Sequence, residues 1–157
     1  MYRISRNIEA SVIDWLNEEL TSDGWTGIRI EKNFVEAYKG TLPCIVVGVN
    51  SIDSSKLEIG SSTWFKTFEV NIRIFATSDG LRLDLSDWLL DELENDIDYN
   101  IYTITEGITT DKIISGKIII KEITRHEKEL TNTENLELED KYRNITTFTC
   151  YVAEQGE

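Results

Sequence analysis

One run of sequence decides the fold: Trp64-Phe65-Lys66-Thr67-Phe68-Glu69-Val70-Asn71-Ile72-Arg73-Ile74-Phe75-Ala76. From Phe68 to Ala76, an apolar residue stands at every second position. Successive side chains of a β-strand point to opposite faces of its sheet, so this spacing predicts a long strand with one face in the core. We therefore expect the fold to be organised around a sheet.

Shorter runs on either side predict the other strands of this sheet. They are Ile28 to Phe34, Cys44 to Val49, Tyr99 to Thr105, Lys117 to Arg125 and Asn144 to Val152. The run after Pro43 is continuously apolar, which is typical of a strand covered on both faces, and the first residue of a strand can lack a backbone donor. The last two strands are expected to pair with each other.

Two stretches have the three- and four-residue spacing of amphipathic helices. The first contains Ile8, Val12, Trp15, Leu16 and Leu20, with Ser5 or Asn7 as its N-cap, and the second contains Leu81, Leu85, Trp88, Leu89 and Leu93. The second helix follows N-cap candidates in Thr77-Ser78-Asp79-Gly80 and is expected to end near Asp96.

Two polar segments interrupt this pattern. Ser51 to Thr63 predicts a long surface loop or a hairpin arm, and the Glu-rich segment His126 to Arg143 predicts an extended arm or a mobile loop. No linker or repeat divides the chain, so residues 1–157 are expected to form a single domain. The predicted fold class is α+β, with a mixed, mostly antiparallel sheet, two helices packed on one face, and long loops or a β-hairpin arm.

Composition excludes several classes of function. The chain has 16 Lys and Arg residues against 29 Asp and Glu, a net charge of −13, and this surplus disfavours direct binding to a DNA duplex. We expect no signal peptide and no membrane span. The only cysteines, Cys44 and Cys150, lie in apolar runs and are expected to be small buried hydrophobes in a reducing compartment.

Residues able to carry chemistry are few. His126 is the single histidine, which excludes sites built from two, and it is expected to be a solvated residue of a charged loop. The second helix carries acids that could in principle gather a divalent cation, of which the first three share one face, but a solvated acidic surface is the favoured interpretation. These acids are Asp84, Asp87, Asp91, Glu92 and Glu94.

Two further groups of residues, acid–lysine pairs and aromatic residues, also have a structural interpretation that is favoured over a functional one. The acid–lysine combinations Glu31-Lys32 and Lys66 with Glu69 resemble those of metal-dependent nucleases only weakly and indicate surface charge. The aromatic residues Trp64, Phe65 and Phe68 have no interleaved basic cluster, so they indicate core and interface positions. No glycine fingerprint for nucleotides is present. We therefore expect no enzyme, no cofactor, no metal and no catalytic residue.

One part of the chain resembles a known family in the order of its elements. The order runs from Leu42-Pro43-Cys44-Ile45-Val46-Val47 through Leu57-Glu58-Ile59-Gly60 to the strand Phe68 to Ala76, and then from Asp79-Gly80 into Leu83-Asp84-Leu85-Ser86-Asp87-Trp88-Leu89. This order resembles that of the tail terminator and tail-completion proteins of long-tailed bacteriophages. The resemblance covers roughly Leu42 to Tyr102, and from Asp111 onward it is generic.

The resemblance implies a structural virion protein of the phage neck, assembled in the host cytoplasm. Copies of the chain would form a ring, six in number by this resemblance, at the head-proximal end of the tail tube. The ring would stop tube polymerisation and dock to the head-tail connector, with DNA only passing through its channel. The partners implied are thus other copies, the tail tube protein and the connector protein, without a membrane.

The sequence also leaves alternatives open. The chain could be another neck or tail-tube component, an acidic inhibitor that mimics DNA and binds a basic protein, or a metal-dependent hydrolase that uses its carboxylates. An inhibitor would be a monomer that binds its target one to one, whereas a ring protein would assemble with itself.

Overall fold

Six strands and two helices make up the part of the chain that a computed structural model describes, residues 3–32, 41–56, 59–60, 62, 64–127 and 143–155. They are α1 Ile4–Ser22, β1 Arg29–Glu31, β2 Cys44–Lys56, β3 Trp64–Phe75, α2 Asp79–Glu92, β4 Ile97–Thr105, β5 Ile108–Glu127 and β6 Arg143–Glu154. The sheet order is β1-β2-β3-β6-β5-β4, with β1 parallel to β2 and every other pair antiparallel. The predicted α+β class with a mixed, mostly antiparallel sheet is confirmed.

The main core lies between one face of the sheet and both helices. Alternate residues of β3, namely Phe68, Val70, Ile72 and Ile74, are all at most 1% exposed and belong to one cluster with residues of both helices. The helix residues of that cluster are Ile8, Val12, Leu16, Leu20, Leu85 and Leu89. The predictions that β3 has one face in the core and that two helices cover one face of the sheet are thus confirmed.

Strand β2 is buried on both faces near its start. Ile45 and Val47 belong to the main core, while Cys44 and Val46 pack on the opposite face with Phe75. All of these side chains are at most 2% exposed. The continuous apolar run after Pro43 therefore has the double coverage that it predicts.

The two helices begin in different ways. The hydroxyl of Ser78 accepts a hydrogen bond from the Leu81 backbone N–H at 3.2 Å, so the predicted N-cap of α2 is confirmed. The prediction for α1 is wrong: the helix begins at Ile4 after Arg3, which has a φ of 79° and makes no side-chain cap. Ser5 and Asn7 lie inside the helix, and the Asn7 amide is used instead in a buried hydrogen bond to the Tyr99 hydroxyl.

Strand boundaries differ from the prediction mainly in polar segments. β2 continues to Lys56 and pairs with β3 as far as Trp64, so the hairpin arm, and not a loop, occupies Ser51 to Lys56. β5 begins at Ile108 instead of Lys117, because a tight turn at Glu106-Gly107, both with positive φ, pairs it with β4. Helix α2 ends at Glu92, short of the predicted Asp96, and β4 starts at Ile97.

The last two strands pair with each other, as predicted, from Gly116 opposite Glu154 to Glu127 opposite Asn144. The predicted arm between them falls largely on residues 128–142, which lie outside the described residues, as do residues 33–40 after β1. Neither described helix combines the length and the apolarity that a membrane span requires.

Candidate functional site

Exposed apolar side chains mark the two places where hairpins extend past the common sheet. β6 pairs with β3 only from Phe68 and with β5 only from Gly116, so residues 52–56 with 64–67 form a first arm and residues 100–105 with 108–115 form a second arm. In the described part of the chain, all large exposed apolar residues except Leu83 lie on these hairpins. They are Ile52, Ile59, Trp64, Ile101, Ile108, Ile113 and Ile114.

The first arm has two chemically different faces. The pairs Lys56–Trp64, Ser54–Lys66 and Ile52–Phe68 lie opposite one another, so the face that we call the basic arm face consists of Ile52, Ser54, Lys56, Trp64 and Lys66. The Lys56 ammonium lies 5.3 Å from the centre of the Trp64 ring. Asp53 is on the other face, so the basic arm face carries two cations and no carboxylate.

The opposite face of the first arm packs back onto the sheet. The Phe65 ring lies 5.2 Å from that of Tyr151 in β6, and the Lys121 ammonium of β5 lies 5.6 Å from the Phe65 centroid. These contacts fix one face of the arm against the sheet and leave the basic arm face in solvent, where Trp64 is 54% exposed.

An acidic groove runs between α1, the end of α2 and the β4–β5 hairpin. Its volume is about 320 Å³, and its walls carry more carboxylates than ammonium groups. The carboxylates belong to Asp14, Glu18, Glu19, Glu92, Asp96 and Asp98, and the ammonium groups to Lys112 and Lys117. Ile114 of the second arm supplies an apolar patch in the same wall.

Specific hydrogen bonds hold α1 against β4 and so shape this groove. The Asn100 backbone N–H donates to the Ser11 hydroxyl at 2.9 Å, and the Tyr102 hydroxyl donates to Asp14 at 2.6 Å. Burial and the Asp14 carboxylate raise the pKa of Tyr102, so its phenol keeps the proton that it donates. Asn100, which is 6% exposed, lines the groove, and its Oδ1 has no hydrogen-bond partner among the described residues.

Three acids cluster at the end of the groove where α1 meets α2. Glu19, Asp23 and Glu92 each have a carboxylate oxygen within 4.8 Å of the others. The indole N–H of Trp88 donates to Asp23 at 2.6 Å. Desolvation, and then the negative charges of Glu19 and Asp23, raise the pKa of Glu92. The cluster is therefore a point of electrostatic repulsion.

We expect Glu92→Gln to stabilise the protein at pH 7 by less than about 1 kcal/mol, a limit set by the exposure of the cluster. A carboxyl whose folded-state pKa is raised costs stability as the pH rises above its ordinary value, which is 4.5 for Glu92. The gain should accordingly vanish at pH values well below 4.5. Thermal unfolding at pH 7 measures the gain in stability, and thermal unfolding at pH 3.5 measures its disappearance.

Glu94→Gln is the matched control, because it removes the same charge two residues after the end of α2 and outside the cluster. It should leave stability at pH 7 nearly unchanged. If Glu92→Gln destabilised the protein at pH 7, repulsion would be the wrong description of this cluster.

The residues weighed earlier for catalysis do not come together in the described structure. Burial raises the pKa of the Cys150 thiol to about 12 and also raises that of Cys44, so neither forms the thiolate that nucleophilic chemistry needs. Asp84, Asp87 and Asp91 lie exposed on α2, and Asp87 accepts a hydrogen bond from Arg125. The side chain of His126 lies outside the described residues.

The remaining combinations are also separated. Glu31 pairs with Arg29 at 2.6 Å, and Lys66 and Glu69 lie on opposite faces of β3, since their positions differ by three. Of the aromatic residues, Phe68 is buried, and Trp64 and Phe65 point to opposite faces, so they form no stacking platform.

Sequence reasoning missed both the basic arm face and the groove. The arm face had a signal, since the period-two alternation of residues 52–56 would place Ile52, Ser54 and Lys56 together once they are assigned to a strand. The groove had none, because its acids come from both helices and from β4. No family model matches this chain, and no curated protein is significantly similar to it.

Proposed function

We propose that this chain is a structural virion protein, a tail terminator that assembles with its own copies into a ring at the head-proximal end of a phage tail tube. There it stops tube polymerisation and docks to the head-tail connector. The order of elements from Leu42 to Tyr102 supports the family, and the α+β fold with two helices on one face of a mixed sheet agrees with it.

One observation carries the self-assembly part of the proposal. Ile101 and Ile113 lie directly opposite each other across β4 and β5 and are 37% and 62% exposed, while Ile52 and Trp64 are about half exposed on the other hairpin. Exposed apolar side chains that cluster on projecting elements are typical of surfaces that bind another protein. Two such surfaces on one chain favour an assembly in which each copy contacts two neighbours.

The negative charge supports the location of the ring. An anionic channel wall lets a DNA duplex pass without binding it, because the approach of phosphates to carboxylates is unfavourable. This agrees with a protein that surrounds DNA during its passage.

The test is the mass of the purified chain by light scattering over a concentration series, together with negative-stain images. We expect a mass several times that of the 18.1 kDa chain and rings with a central hole. Addition of the rings to polymerising tail tube protein of the same virus should shorten the tubes and place a ring at one end. A strict monomer at high concentration, or a one-to-one complex with a basic protein, would contradict the proposal and favour the inhibitor.

A further inference from the structure

We propose that the basic arm face of one copy docks into the acidic groove of a second copy of this chain. The inference rests on the proposed self-assembly and names the two surfaces that form its interface. Lys56 and Lys66 would face the groove carboxylates, and Trp64 would pack near Ile114.

Charge complementarity is the first argument. The chain carries a net charge of −13, whereas the basic arm face, with two lysines and no carboxylate, has the opposite sign. Neither lysine forms an ion pair with any residue that the structure describes. The groove has the opposite character, with four more carboxylates than lysines in its walls. Local charges of opposite sign help two anionic copies to associate against their overall repulsion.

The apolar parts of the two surfaces provide the second argument. Trp64 is 54% and Ile52 49% exposed on the arm, and Ile114 is 58% exposed in the groove wall. Tryptophan is a frequent anchor of protein interfaces because it combines a large apolar surface with few rotatable bonds.

Topology provides the third argument. The arm and the groove are different surfaces of the chain, since β6 lies in the sheet between the arm strands and the strands that line the groove. An interface between two different surfaces is heterologous, and each copy then uses its arm on one neighbour and its groove on the other. Repetition of this contact closes into a ring when the rotation permits, which is the assembly that the proposed function requires.

Reciprocal charge reversal tests the contact. The arm variant K56E/K66E and the groove variant E18K/D96K change only exposed side chains. The arm variant makes arm and groove both negative, and the groove variant brings the net charge of the groove from −4 to zero. Each variant alone therefore loses the attraction, and we expect the concentration for half-assembly to rise at least about tenfold. An equimolar mixture restores one attractive contact, because the unaltered arm of the groove variant meets the unaltered groove of the arm variant. Light scattering should therefore show a complex of two copies, one of each variant, at concentrations where each variant alone is monomeric.

The control is D84K/D91K on α2, which changes net charge by the same amount as the groove variant at exposed positions outside both surfaces. It should assemble like the wild type, and all variants should keep the wild-type circular dichroism spectrum. If the wild type forms rings and both charge variants assemble as well as the wild type, the docking contact is overturned and the proposed function stands. A monomeric wild type would overturn both. Loss of assembly in both variants without rescue in the mixture would also overturn the contact.

Discussion

Gly116→Ala should destabilise the protein by about 3 kcal/mol or more, the upper part of the range for forcing atoms into packed space. A Cβ atom on Gly116 would lie 2.2 Å from the carbonyl oxygen of Ala153 and 2.8 Å from the Cα of Glu154. Both are backbone atoms of β6, so no side chain can rotate away to make room. Urea denaturation with the free energy of unfolding as readout measures the loss.

Gly80→Ala is the matched control. Gly80 lies exposed in the first turn of α2, and an added Cβ would meet nothing within 4 Å. Alanine restricts the unfolded chain and favours the helix, so this change should stabilise the protein by about 0.5 kcal/mol. If Gly116→Ala were as mild as Gly80→Ala, the close approach of β5 and β6 at this point would be wrong.

The position of Gly116 also explains why the second arm was not predicted. Sequence patterns indicated a strand only from Lys117, the residue that follows this glycine. In the structure Gly116 lies within β5, next to a register shift between Tyr99 and Asn100 of β4. It is the first residue of β5 that pairs with β6, so the glycine marks the point where the hairpin leaves the sheet.

Local patterns predicted the elements whose residues face the core. The alternation in β3, the double coverage of β2 and the N-cap Ser78 depend on the chain's immediate neighbours, which the sequence displays directly. The start of α1 was wrong because Asn7 is used in a long-range hydrogen bond to Tyr99, whose place beside the helix depends on the tertiary fold. Capping propensity cannot anticipate such a competing partner.

The candidate surfaces likewise divide into one that local sequence could predict and one that depends on the tertiary fold. The two faces of the first arm follow from strand periodicity, which places Lys56 and Lys66 on one face and Asp53 on the other. The acidic groove depends on how α1 lies against β4, fixed by the Ser11 and Asp14 hydrogen bonds. A high content of acids is visible in the sequence, but the concentration of six carboxylates around one groove is a property of the fold.

Phe148→Ala should have a similarly large effect, a loss of about 3–5 kcal/mol in the free energy of unfolding. Phe148 is fully buried in the main core and lies on β6 between Val70 of β3 and Ile123 of β5. Its ring therefore packs where the two halves of the sheet join, and truncation leaves a cavity that the paired backbones cannot close. For a domain with a typical total stability of about 5–15 kcal/mol, this change would consume a large fraction of it.

Thermal and urea unfolding of Phe148→Ala beside Leu83→Ala distinguishes core packing from a general effect of losing an apolar side chain. Leu83 is 38% exposed on α2, and its replacement should alter stability by no more than about 0.5 kcal/mol. β6 is the strand that joins the β2–β3 hairpin to the β4–β5 hairpin. Loss of the Phe148 ring should therefore also weaken the packing that holds the two hairpins together. A Phe148→Ala protein as stable as Leu83→Ala would mean that β6 does not hold the two hairpins in one core.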